Sequence, residues 1–279
     1  MTSVPHEPDT PEPLDTVLDL AEDALDRGDP SGALDLCMQI LDAAPEHPGA
    51  LFVQAEAHRD LRLMHDAEQG YRQVIALTPD HAPSWSALGA VMFDSLRFDE
   101  AHAALSRSVR LDPENPEAYF WRAMLRERRH DFNGAARDYR RAHRIEPIGF
   151  PLPVELDEAT IAAVVQSALS TLHPSIRSYL RQVAILLEDV PSEETLLHYD
   201  PPMPPGEILG YYSGVSMAER TLDNPWSNLP SAIVLYRCNL QRIASDREHL
   251  LEELRITVFH EVGHFLGLDE EDLKERGLD

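Results

Sequence analysis

With 279 residues, 43% of them hydrophobic, the chain is long enough for two domains of ordinary size and apolar enough to give each a core. Its net charge is -25, from 49 acidic against 24 basic side chains, which argues against nucleic acid or an anionic membrane as a partner. Two cysteines, Cys37 and Cys238, lie too far apart in sequence to suggest a disulfide framework or a thiolate metal site.

Residues 1–13 are acidic and proline-rich, without the basic start and apolar centre of a secretory signal, and are expected to form a disordered lead-in. No apolar run reaches the roughly 18 residues that a membrane span needs. A cytoplasmic protein with reduced thiols is the expectation.

A periodicity then begins. Pro45, Pro79, Pro113 and Pro147 are each 34 residues apart, and so are Ala33, Ala67, Ala101 and Ala135. Ala21, Ala55, Gly89 and Ala123 keep the same step. A period of this length is that of a stacked helix–turn–helix unit. The small residues let two helices cross closely, and each proline closes a second helix. Bulky residues fill the groove beside the crossings: Leu51, Trp85 and Tyr119 early, Tyr71, Leu105 and Tyr139 late. Turns within the pairs are expected at Arg27–Asp29, Leu63–His65, Leu96–Phe98 and His130–Phe132.

Over residues 14–147 this pattern resembles the tetratricopeptide repeat (TPR) family, best in the third and fourth copies. The third carries Trp85, Leu88, Gly89, Ala101 and Pro113; the fourth carries Tyr119, Ala123, Ala135, Tyr139, Ala142 and Pro147. The first copy is degenerate, with Val17 and Cys37 at usually aromatic positions. The resemblance implies an α-helical solenoid whose concave face binds a protein or peptide client. Within it lies a basic stretch, Arg122, Arg126, Arg128, Arg129, Arg137, Arg140, Arg141 and Arg144. It is either a surface for an acidic partner or for the acidic second half, or a solvated helix face, the plainer reading of a charge run.

Residues 148–154, from Ile148 to Pro153 and Val154, break helix and repeat, and serve as a linker to a second domain over 155–279. There the apolar spacing predicts a helix over Asp157–Leu172, a short helix over 174–181 and a buried strand over Gln182–Leu187. A short helix capped by Ser192, a proline-rich loop over 201–206 and a strand over Ile208–Val215 follow. A polar loop is expected over 219–230, a strand over Ala232–Tyr236, a long helix over Arg247–Leu266 ended by Gly267, and a last turn over 270–275. This order makes a small α+β domain with its sheet packed on the long helix. The strand at Ala232–Tyr236 is expected to offer an edge to an extended substrate.

The long helix carries His260-Glu261-Val262-Gly263-His264. Histidines four apart lie on one helical face and can hold one metal ion. Glu261, about 100° round the helix, flanks the ion and is placed to take a proton from water. A catalytic zinc needs a third protein ligand, and the glycine at 267 lets the chain turn back to supply one. The carboxylates just past the glycine, Glu270 or Asp269, are the candidates.

Together with Val183–Ser192, Leu209–Val215 and Ile233–Arg237, the block from Thr257 to Glu270 resembles the small zincin-like metallopeptidases, of minimal metzincin type. The family usually has aspartate as third ligand, three residues after the glycine, where this chain has Glu270. No methionine follows Met217 to form the Met-turn of larger metzincins. The resemblance implies a zinc-dependent peptidase with His260, His264 and Glu270 holding Zn2+ and Glu261 as general base. The competing reading is a TPR adaptor with a structural or idle zinc site.

Overall fold

A computed structural model describes residues 13–199, 201–217 and 231–276. The lead-in expected before Pro13 and the loop expected over 219–230 lie outside these residues. Eight helices form four consecutive pairs: α1 (Leu14–Asp26) with α2 (Pro30–Ala43), α3 (Pro48–Asp60) with α4 (Met64–Leu77), α5 (Ala82–Asp94) with α6 (Phe98–Leu111), and α7 (Pro116–Arg128) with α8 (Phe132–Ile145). Each second helix ends two residues before the periodic proline, as a residue without an N–H requires.

The small-residue columns do what the spacing predicts. Ala21, Ala33, Ala55, Ala67, Ala101, Ala123 and Ala135 are all buried. At Gly89 a Cβ would come within 2.6 Å of Leu105, so only hydrogen fits beneath that side chain. The late bulky column, Tyr71, Leu105 and Tyr139, is buried. The early column is not uniform. Leu51 is buried, whereas Trp85 and Tyr119 are half-exposed. The Trp85 indole N–H donates to the Pro79 carbonyl at 2.9 Å, and the Tyr119 ring lies under the guanidinium groups of Arg122 and Arg141.

The turns within the pairs share a further 34-residue column. Gly28, Arg62, Leu96 and His130 all have positive φ, between 56° and 73°. Only the first is a glycine, so three side chains stand in the left-handed region. The second turn, Leu61–Leu63, falls just before the expected position, because Met64 already opens α4.

By their contacts the residues group into two units, Met1–Met92 with Phe98–Ala118, and Phe93–Arg97 with Tyr119–Asp279. The fourth helix pair, from Tyr119 onward, thus groups with the strands rather than with the earlier repeats. Three of its arginines are tied into that second unit. Arg122 forms a two-pronged pair with Asp138 at 2.7 and 2.8 Å, which Arg126 joins at 3.1 Å. Arg128 donates to the Pro191 carbonyl at 2.9 Å, while Arg137, Arg140 and Arg144 are exposed.

The rest of the second unit holds α9 (Glu158–Thr171), α10 (Pro174–Leu180), β1 (Val183–Glu188), α11 (Glu193–Leu196), β2 (Gly210–Ser213), β3 (Ser231–Tyr236), α12 (Arg237–Ile243), α13 (Arg247–Leu266) and α14 (Glu270–Glu275). Ser192 caps α11 through the Thr195 N–H, as expected. The seven-residue α12 is an addition to the expected elements. The sheet order is β1-β3-β2, with β1 parallel and β2 antiparallel to β3. The expected substrate edge at Ala232–Tyr236 is therefore corrected: β3 is central and has partners on both sides. Its Ile233, Val234, Leu235 and Tyr236 are buried on both faces, which suits a middle strand. The outer strands are β1, whose burial alternates, and β2. Strand β1 is thus not buried throughout, as its apolar run suggested, and Leu186 is exposed. One core joins α9, α13 and the sheet through Ile161, Val165, Ile233, Leu235, Leu254 and Val258.

Candidate metal centre

Helix α13 positions the motif. Its N-cap is Asp246, whose carboxylate accepts from the His249 N–H at 2.9 Å. Leu250, Leu254, Val258, Val262 and Phe265 bury its length against the core. At its end Gly267 adopts φ 95° and ψ 20°, in the left-handed region. The Leu268 N–H reaches back to the Gly263 carbonyl at 3.0 Å and the Gly267 N–H to that of His264 at 3.0 Å. This Schellman turn reverses the chain. Helix α14 then folds back over α13. Asp269 caps it, accepting from the Asp272 N–H at 2.9 Å, and Asp272 returns the bond in a capping box.

Fully buried Leu273 fixes that return. It lies over Gly263, where a Cβ would come within 2.3 Å of Leu273 Cδ2. The second open position of the motif is thus filled by the neighbouring helix. Glu270, in the first turn of α14, is carried onto the histidine face.

The result is a convergent group. His260 Nε2 and His264 Nε2 are 3.0 Å apart. Glu270 places one oxygen 3.3 Å from His264 Nε2 and the other 3.8 Å from His260 Nε2. Ligand atoms of these three residues all lie within 4.8 Å of one another. A tetrahedral ion with bonds of about 2.0–2.2 Å spaces its ligands roughly 3.3–3.6 Å apart, so the donor set fits zinc in spacing and kind. His264 Nδ1 is 3.1 Å from the Leu268 carbonyl. A carbonyl only accepts, so that nitrogen carries the hydrogen and Nε2 is left with a lone pair facing the group. The alternative ligand, Asp269, has its carboxylate engaged in the cap of α14 and is outside the convergent group.

Glu261 is only 5% exposed. Burial pushes its carboxyl up to about 8; the Tyr212 backbone N–H, donating to it, works against that, and Glu270 adds a like-charge push. Strand β2 comes this close because of Gly210. A Cβ there would lie 2.7 Å from Thr257 Cγ2 and 3.0 Å from Glu261 Oε1. Sequence reasoning missed this contact, although a glycine inside a strand signals close backbone approach. It also missed Tyr199 and Tyr211. Their rings are 6.4 Å apart, and both phenols are raised chiefly by burial, with the Glu261 charge adding to it.

The comparisons with known proteins place the fourth helix pair with the repeats, although its contacts group it with the strands. Residues 18–82 and 88–147 match the model of the tetratricopeptide repeat, and residues 180–278 that of the zincin-like metallopeptidases. The chain joins a TPR array to a zincin-like metallopeptidase domain. No match was found among curated proteins. Among solved structures, a crystal structure of MamA is 20% identical, with a TM-score of 0.41 over 60% of this chain and 85% of that one. A thermophilic TPR protein of Thermus thermophilus is 18% identical, with a TM-score of 0.44 over 61% and 87%. The first TPR of Spaghetti, bound to an HSP90 peptide, is 21% identical, with a TM-score of 0.37 over 44% and 90%. No helix among the described residues is long and apolar enough to cross a membrane.

Proposed function

We propose that the chain is a zinc-dependent peptidase in which residues 14–147 recruit a protein client on the concave face of the repeats and residues 155–279 cut it. The observation that carries this reading is the convergence of His260, His264 and Glu270 beside a buried Glu261. In it the two imidazoles and the Glu270 carboxylate hold the ion, and Asp269 shapes the turn that brings Glu270 back. Zinc, when bound, lowers the pKa of a water towards 7 and polarises the scissile carbonyl. Glu261 takes the proton of the attacking water and passes it to the leaving amine. The protein works in the cytoplasm, where the two cysteines stay reduced.

Zinc content and metal-dependent cleavage of a peptide library test this on the full chain. Glu261→Gln is expected to keep zinc and lose cleavage. Wild type that holds zinc and cleaves no peptide would overturn the reading in favour of an adaptor whose zinc is structural. Wild type that holds no zinc would remove both.

A further inference from the structure

The segment that leads into β2, residues 203–209, has no regular structure of its own, yet it sets where Gly210–Ser213 meets Glu261. Buried side chains of α12 hold it. The Asn239 amide uses both hydrogens, donating to the Pro205 carbonyl at 2.9 Å and to the Ile208 carbonyl at 2.6 Å. Its oxygen accepts from Arg242, which fixes which way the amide faces. Arg242 in turn donates to Glu127 of α7 at 2.7 Å and lies 3.4 Å from the Tyr139 hydroxyl of α8. The side chains of Arg242 and Glu127 are each 8% exposed. A charged pair this dry is costly to bury, and hydrophobic residues of similar size fill such a space at least as well. Every member is satisfied, and the line of bonds ends on the backbone of the segment that leads into the strand touching Glu261.

We propose that Asn239 and Arg242 are positioning residues for the metal centre. Braced against Glu127 and Tyr139 of the fourth helix pair, they hold residues 205–208. They thereby set the height of β2 over α13. Two further anchors complete the placement. The Tyr236 N–H donates to the Leu209 carbonyl at 2.8 Å, and Gly210 presents only hydrogen to Glu261. The Tyr212 N–H that reaches the Glu261 carboxylate follows from these. The last repeat is, in this sense, part of the support of the site and not only of a client surface. The proposal rests on the peptidase reading for its kinetic consequence alone.

The test is amide hydrogen exchange in the full chain carrying Asn239→Ala, or Arg242→Lys, which keeps a charge for Glu127 but has no second nitrogen for Asn239. Exchange over 209–213 is expected to rise roughly tenfold or more in both, with α1–α6 and α9 unchanged and zinc content retained. On a cleaved peptide, kcat is expected to fall roughly tenfold with KM little changed, as for a base slightly out of place. Unchanged exchange over 209–213 in a folded variant would overturn the proposal. So would equal acceleration throughout the second unit, the mark of lost stability alone. If Asn239→Ala does not fold, Arg242→Lys decides; failure of both to fold would make the pair ordinary core and overturn it too. If wild type cleaves nothing, the peptidase reading falls and the exchange result still decides this one.

Discussion

The first three helix pairs and the C-terminal half bring backbones close by opposite means. In the repeats the helices meet at residues with almost no side chain: Ala21 and Ala33, Ala55 and Ala67, Gly89 and Ala101. The same solution recurs every 34 residues. In the second unit close approach happens once at each place, and polar groups enforce it. Asn239 holds two carbonyls, Arg242 holds Glu127, Gly210 admits Thr257 and Glu261, and Gly263 admits Leu273. Redundant packing spreads a defect over many similar contacts, whereas a satisfied polar network fails when one member is removed.

The sharpest way to break this contrast is Glu127→Ala. It leaves the Arg242 charge buried without its carboxylate, and a loss of about 3–5 kcal/mol in urea denaturation is expected. Replacing both partners by methionine should recover most of that. A fragment beginning at residue 150 lacks Glu127 and Tyr139, and should unfold at lower urea than one beginning at 116. Next in size is Leu273→Ala, which empties the fully buried seat over Gly263. A cost of about 2–4 kcal/mol is expected, with weaker zinc binding in competition with a chelator because α14 no longer presents Glu270. Smaller is Asp269→Ala, expected to cost about 1 kcal/mol of thermal stability as a lost cap while zinc stays bound. Glu270→Ala should do the reverse, losing zinc at little cost in stability; loss of zinc from the Asp269 variant alone would exchange their roles. Smallest, and of opposite sign, is Arg62→Gly. Relief of a left-handed side chain, partly offset by the greater freedom of a glycine in the unfolded chain, should raise stability by roughly 0.5 kcal/mol, read as an increase in Tm.

The sequence made the repeats legible because their cause is local and recurs. A single 34-residue step was enough to place helices, crossings and closing prolines. Helix α13 was equally plain, since its apolar spacing and Gly267 both act within a turn or two. What could not be read depends on partners distant in sequence. That β3 is central follows from β1 and β2 both pairing with it, and an apolar run reads alike in the middle or at the edge of a sheet. The role of Asn239 rests on carbonyls 31 and 34 residues away, and that of Arg242 on Glu127, 115 residues away. The left-handed column was hidden for another reason: Arg62 and Leu96 are residues that rarely mark such a turn.

Gly263 bears on how such motifs carry information. Written as His-Glu-x-x-His, the pattern treats its third and fourth letters as silent. In this chain the fourth letter reports on a residue outside the pattern. A glycine there is a vacant seat, and Leu273, ten residues on, occupies it. A side chain at 263 would therefore displace the returning helix, and with it Glu270, without touching either histidine.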